Sequence, residues 1–457
     1  MDNTRRAFGL LLAAGTVLLS GCGGGTGNGT SATTAAGPVA PPATIEAVAL
    51  PGYVHGYTLT RVGWYAYDAG HTTAPLIANV QTSLNERGAV AGYYTIEACA
   101  DCAYSEATKG TPTYSAADDY CIGRDGRMPC PSQDTAMNAA GTTAGSELMG
   151  YPAYDPYSAV PSYHAYAGAT DLGTLGGSSS YATGINAAGQ AVGYSDLPGN
   201  KDAQAFVSSQ GIMTVLAVPG SVQSRASAIN GRGQIAGYAT PTGSAVTHGF
   251  FYSNGTFVDL GEGEANALNA SGQVAGSNNA GAFLSAADGG ALQSLGAGSA
   301  IGVNAAGQVV INGAGPFVWD GTAQVDLNAI VAPADPLAGQ ITLTEVIAIN
   351  DSGQILVKGH DRTGWQLQFL MSPPPISDQI VFLLRTVGQA GSASNLPALL
   401  RQAQDDNAAG DQSGTCRALA AVESAIATDT GLELPAVAAR RLAVEVHVMM
   451  SMDACTY

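Results

Sequence analysis

Seven cysteines, six histidines and nineteen tyrosines are the side chains of this 457-residue chain with the most capacity for chemistry. Cys99-x-x-Cys102, Cys121 and Cys130 fall close together, while Cys416 and Cys455 lie far downstream. Four cysteines so spaced could hold zinc as thiolates or pair as disulfides. Bridges are favoured if the chain enters an oxidising compartment, with connectivity among the four left open. The histidines at 55, 71, 164, 248, 360 and 447 are scattered. His164 and His248 share one position of a repeated strand, where pairing with neighbouring backbone is expected ahead of a ligand role. No nucleophile elbow, phosphate loop, metal triad or Ser-x-Asp-x-Gly-x-Thr-Trp box occurs, so no catalytic residue, metal site or cofactor is expected. Tyrosines crowd the chain before residue 170. Tyr104, Tyr114, Tyr120, Tyr151, Tyr154 and Tyr157 are the candidate ligand contacts, because an aromatic face with a polar tip stacks on sugars or anchors a protein partner. Tyr93, Tyr194 and Tyr238 instead end the second strand of their repeats, which points to packing between repeats.

The elements that must position these groups are repeats. Ile185-Asn186-Ala187-Ala188-Gly189-Gln190-Ala191-Val192-Gly193 has relatives whose asparagines stand at 85, 138, 230, 269, 304 and 350, with a mean spacing of about 44 residues. Asn followed three residues later by Gly fits a type I turn closed by a left-handed glycine, the asparagine side chain capping the local backbone. A calcium loop would need alternating carboxylates, which are missing. A second hairpin follows each first one, turning at Gln210-Gly211, Asn254-Gly255 and Asp320-Gly321. Four short antiparallel strands per unit, repeated seven times, predict a mainly β fold: a seven-bladed β-propeller of four-stranded blades over residues 46–374, with a cysteine-bearing insertion at 99–135. The last unit runs into Ser372-Pro373-Pro374-Pro375 where its fourth strand should be. Tyr57 to Gly63 matches the fourth strands of other units and is expected to fill that place, removing exposed edges.

Asp171-Leu172-Gly173-Thr174-Leu175-Gly176-Gly177, Ile185-Asn186-x-x-Gly189-Gln190-x-Val192-Gly193, and His164-Ala165-Tyr166 or His248-Gly249-Phe250 resemble the motifs of the HAF family of extracellular repeats. The likeness covers roughly Tyr57 to Ser372, although most units lack the histidine. It implies an extracytoplasmic, propeller-like protein and supplies no catalytic residues.

Beyond Pro375 the period changes. Ile380, Leu383, Leu384 and Val387 recur at helical spacing, as do Leu396, Leu399, Leu400 and Ala403, then Leu419, Val422 and Ile426, then Leu442, Val446 and Met449. Residues 376–457 are therefore expected to form a small all-α domain of four helices. In an antiparallel pair the start of the third helix meets the end of the fourth, so Cys416 and Cys455 should be bridged. The helix pattern and position resemble the FIMAH domain that follows exported bacterial domains, which implies attachment; a packed appendage without a partner is the other reading.

The chain carries 17 basic against 35 acidic residues, a formal charge of −18. Duplex DNA or an anionic lipid surface would call for the opposite sign, so nucleic acid is excluded as a partner. Arg5-Arg6 precede an apolar run from Leu10 to Leu19 that is too short to span a bilayer and has the layout of an export signal. Leu19-Ser20-Gly21-Cys22 resembles the bacterial lipobox, which implies a signal peptide over 1–22, a lipidated Cys22, and a flexible Gly/Ser/Thr/Ala/Pro tether over 23–45. Thr4-Arg5-Arg6-Ala7-Phe8 also resembles a twin-arginine signal, leaving the export route open. Gly23 is not the aspartate of an inner-membrane retention signal, so the outer membrane is expected, with the lipid as the only membrane attachment. The reading is of a monomeric binding or scaffolding module of the cell envelope whose partner is a polysaccharide or protein. The alternative is a carbohydrate-active hydrolase or lyase at the channel mouth, which requires carboxylates with His or Arg from three or more units to converge.

Overall fold

The computed structural model describes residues 56–65, 76–97, 104–105, 121–122, 132–150, 162–389, 395–429 and 436–455. It is mainly β, built from strands that group into seven antiparallel sets of four, with helices at the C-terminal end. Unit 1 is Leu76–Leu84, Val90–Glu97, Tyr104–Ser105 and Cys121–Ile122; unit 2 is Ser132–Met137, Thr143–Gly150, Ser162–Ala167 and Thr170–Asp171. Unit 3 runs from Ser180 to Val215, unit 4 from Ser221 to Glu262, unit 5 from Glu264 to Gly296 and unit 6 from Ser299 to Asp326. Unit 7 joins Ile341–Ile349, Ile355–Asp361 and Gln366–Ser372 to the N-terminal strand Thr58–Tyr65. That strand pairs antiparallel with the last one from Thr58 opposite Ser372 to Trp64 opposite Leu367, so the chain's first described strand completes its last sheet. Trp64 and Tyr65 also meet Asn79 and Ala78 of unit 1, which makes units 7 and 1 one eight-stranded sheet.

The proposed insertion bounds need correction. Tyr104–Ser105 pairs with unit 1 at Ile96, Cys121–Ile122 extends it, and Ser132–Met137 opens unit 2. Residues 99–135 therefore include strands of two units rather than forming one separate excursion. Backbone hydrogen bonding overrides composition here, because even a two-residue strand is held once a sheet edge offers it donors and acceptors.

Each Asn-x-x-Gly hairpin has the expected geometry. In unit 3 the Gly189 amide donates to the Asn186 carbonyl at 3.0 Å, and Gly189 has a φ of +76° that a Cβ would oppose. The asparagine Oδ1 accepts from the amide four residues on in all seven units, at 2.9–3.1 Å. Its Nδ2 reaches outward, to the backbone carbonyl of the next unit's asparagine. The chain of bonds runs from Asn85 through Asn138, Asn186, Asn230, Asn269, Asn304 and Asn350 back to Asn85, each between 3.0 and 3.3 Å. Seven buried polar side chains thus each find a backbone carbonyl of the next unit in a closed cycle, which is how they tolerate burial. The second hairpins turn at Gln210-Gly211 and Asn254-Gly255 with positive φ at both residues, the geometry that matches strand twist.

Small apolar clusters lie between consecutive units. Adjacent residues of one strand serve opposite neighbours: Ala191 packs with Ala144 and Ala165 of unit 2, whereas Val192 packs with Ala226 and Ile235 of unit 4. Alternation along a strand therefore feeds two cores, and no unit buries both faces alone.

The helices are α1 (Leu327–Ile330), a single turn after unit 6, then α2 (Ile376–Gln389), α3 (Leu396–Ala408), α4 (Gln412–Asp429) and α5 (Ala436–Met452). Ile380, Leu383, Val387, Leu396, Leu400, Leu419, Val422, Ile426, Leu442, Val446 and Met449 form one buried core, as their spacing requires. Cys416 of α4 and Cys455 after α5 are bridged, with Cα atoms 5.5 Å apart.

Candidate functional site

The asparagine turns gather at one face of the β region, and the residue after each asparagine is Glu86, Ala139, Ala187, Gly231, Ala270, Ala305 or Asp351. Two of the seven are acidic, and they are neighbours. A Glu86 carboxylate oxygen accepts from the Asp351 amide at 2.7 Å, and Asp351 accepts from the Ala305 amide at 2.6 Å. Each acid thus caps the turn of the preceding unit. Desolvation in this crowded place, then the charge of Asp351, push the Glu86 carboxyl up to about 7, although the residue remains open to water. Desolvation also raises Asp351, against the Ala305 amide and the nearby His447 of α5. His447 itself sits 3.2 Å from Glu423 of α4.

A carboxyl that titrates near neutrality can move a proton at physiological pH. Here, however, acids from only two units meet, with a histidine from a helix. Among the described residues the three-unit convergence that a channel-mouth hydrolase requires is not found.

His164 and His248 do share one role, but the partner differs from the expected backbone. His164 Nδ1 lies 3.0 Å from the Asp171 carboxylate and His248 Nδ1 lies 3.1 Å from that of Asp259. Each aspartate also accepts from the amide two residues on, Gly173 or Gly261, at 2.8 Å. Histidine on the third strand and Asp-Leu-Gly on the fourth are therefore one hydrogen-bonded device, with a left-handed glycine closing it. Expected backbone pairing fails because the antiparallel register sets the aspartate beside the imidazole, and an anion is the stronger acceptor. His248 and Asp259 border a cavity of about 240 Å³ with Pro219, Phe250 and Phe257. Ser221 lines it too, but its hydroxyl donates to the Val218 carbonyl at 2.8 Å.

Tyr194 serves inter-unit packing. Its ring stacks on Tyr181 at 5.0 Å, Tyr163 of unit 2 follows at 5.6 Å from Tyr181, and the Arg225 guanidinium of unit 4 lies 4.3 Å over Tyr194. Burial raises the Tyr194 hydroxyl above its ordinary pKa, partly offset by Arg225.

Of the candidate ligand contacts, Tyr104 is placed on the third strand of unit 1, between the strands of Ile96 and Ile122, while Tyr114, Tyr120, Tyr151, Tyr154 and Tyr157 lie outside the described residues. Cys22, Cys99, Cys102 and Cys130 lie outside them as well, and Cys121 sits on an outer strand of unit 1. Cys416, Asp453 and Cys455 come close enough together to suggest a metal, but both sulfurs are spent in the bridge. Among the described residues no helix is long and apolar enough to cross a membrane. The chain matches no family model and none of the curated proteins compared with it.

Proposed function

We propose that this chain is a seven-bladed β-propeller of the HAF type, exported and lipid-anchored at Cys22, that binds a polysaccharide or protein at the bacterial outer membrane. The carrying observation is the cycle of seven asparagine bonds together with the N-terminal strand that completes the last sheet. Such a frame is rigid at its hub and free to vary in its outer connections, the division of labour of a binding scaffold. The paired His–Asp–Gly devices support the kinship with the HAF motifs, and the strongly acidic balance supports a partner other than nucleic acid. The helical domain serves as a docking part of the same module.

Glycan-array binding by the chain lacking residues 1–45 tests this reading. Selective retention of one glycan class is expected, or capture of a defined envelope protein by the same form. Release of new reducing ends from a bound glycan would transfer support to the hydrolase or lyase reading, for which the raised Glu86 carboxyl supplies an acid.

A further inference from the structure

One face of α5 rests on the turns of units 6 and 7. Arg441 is ion-paired with Asp320, which is 1% exposed, and donates to the Thr322 hydroxyl at 3.0 Å. Asp320 Oδ1 meanwhile accepts from the Thr322 and Ala323 amides at 2.9 Å, holding the unit 6 turn in shape. Val444 and Val448 fit against Gly321 and Gly353 so closely that a Cβ there would stand within 3.0 Å of each. One turn of helix beyond Arg441 is Glu445. It is 5% exposed, and neither carboxylate oxygen has a hydrogen-bond partner. It borders a cavity of about 10 Å³, room for about one water molecule, closed by Tyr57, Gln308, Pro373, Pro374 and Gln379.

The charges do not balance unless Glu445 carries a proton. The charged groups that face it are Arg441 on its own helix and Asp320 on the unit 6 turn, and Arg441 is already committed to Asp320. The other titratable neighbour, the Tyr57 hydroxyl on the N-terminal strand, lies 3.1 Å from the Gly353 carbonyl and donates to it. His447, two residues on, is engaged with Glu423 and Asp351.

We propose that Glu445, packed between α5 and the turns of units 6 and 7, is a proton-operated latch that holds the helical domain on the turn face. Released, the carboxyl would return to water and its ordinary value of 4.5; docked, burial foremost and Asp320 next push it up to about 8 against the pull of Arg441. The docked state therefore favours the proton. Docking is strongest below pH 4.5, weakens as pH rises through the interval to about 8, and is level above it.

Hydrogen exchange of the full chain between pH 5.5 and 8, corrected for intrinsic rates, reads this directly on the Asp320–Ala323 turn, whose amides Asp320 holds while Arg441 is docked on it. The opening constant of the unaltered chain is expected to rise by up to about 150-fold over that range, and that of Glu445→Gln to stay flat. Asp320→Asn, which removes the neighbouring negative charge, should move the upper end of the interval downward. A common pH slope in the unaltered chain and Glu445→Gln would overturn the latch. So would loss of protection from α3 and α4 together with α5, because that is unfolding of the segment rather than release.

Discussion

Replacing Asn230 by alanine should cost about 3 kcal/mol, and the figure follows from what the side chain does. Its Oδ1 accepts from the Arg232 and Gln234 amides at 3.0 and 3.1 Å. Its Nδ2 donates to Gln234 Oε1 at 2.7 Å and to the Asn269 carbonyl at 3.0 Å. Four bonds at roughly 1 kcal/mol each set an upper scale of about 4 kcal/mol. The Asn269 carbonyl keeps the Gly272 amide as a second donor, so one loss is softened and about 3 kcal/mol remains. Against a total stability of about 5–15 kcal/mol this is a large fraction, measurable as a fall in the urea midpoint without a change in slope. Asn230→Asp separates the turn from the cycle. It keeps the Oδ1 acceptor but sets a charged oxygen against Gln234 Oε1 and the Asn269 carbonyl, so its carboxyl binds a proton more tightly folded than unfolded. Asn230→Asp should accordingly regain stability as pH falls, while Asn230→Ala does not. The exposed Asn279, whose only bond reaches Glu262 at 3.4 Å, is the control and should cost little on replacement by alanine. If Asn230→Ala and Asn279→Ala unfold at the same urea concentration, the cycle contributes nothing to stability and the reasoning fails.

Glu86→Gln should flatten part of the pH dependence of folding: a carboxyl raised from 4.5 to about 7 loses stability as pH climbs through that interval, so the variant should gain on the unaltered chain between those limits, as read by thermal midpoints from pH 4 to 8. Ala187→Asp would place a carboxylate where it can reach the Ala139 amide, as Asp351 reaches Ala305, and should stabilise by up to about 1 kcal/mol; a loss in urea melts would mean the turns are not equivalent. Opening the Cys416–Cys455 bridge, which spans 39 residues, should cost the helical domain about 4 kcal/mol by chain entropy, visible as earlier loss of helical circular dichroism in reductant while the sheet signal persists.

The turns, the strand that completes unit 7 and the helical core were all readable from the chain, because each rests on local chemistry or on a strict period. Asn and Gly three apart specify a turn wherever they occur, and Ile380 through Met449 repeat at the spacing of one helical face. What escaped was contact with partners that have no signature. The amide nitrogens of six asparagines reach a backbone carbonyl on average about 44 residues further on, that of Asn350 reaches back 265 residues to Asn85, and any residue type supplies a carbonyl. Arg441 and Glu445 carry no such signature, since nothing in α5 announces that unit 6 offers Asp320 opposite them. The histidine partner was different, because a signal did exist. Units 2 and 4 alone combine a third-strand histidine with Asp-Leu-Gly, whereas unit 6 has Asp326-Leu327 without a histidine and unit 5 has neither.

That co-occurrence separates two kinds of constraint in the repeat. The asparagine is present in all seven units, where its Oδ1 holds its own turn and its Nδ2 reaches the next unit's backbone, so its loss anywhere costs one turn and one link between units. The His–Asp pair is present in two because each instance closes only its own outer hairpin, at half-exposed side chains worth about 1 kcal/mol or less. Outer strands can therefore diverge unit by unit without disturbing the centre. Tyr104, His164 and His248 all stand on the third strands of their units, outside the asparagine turns.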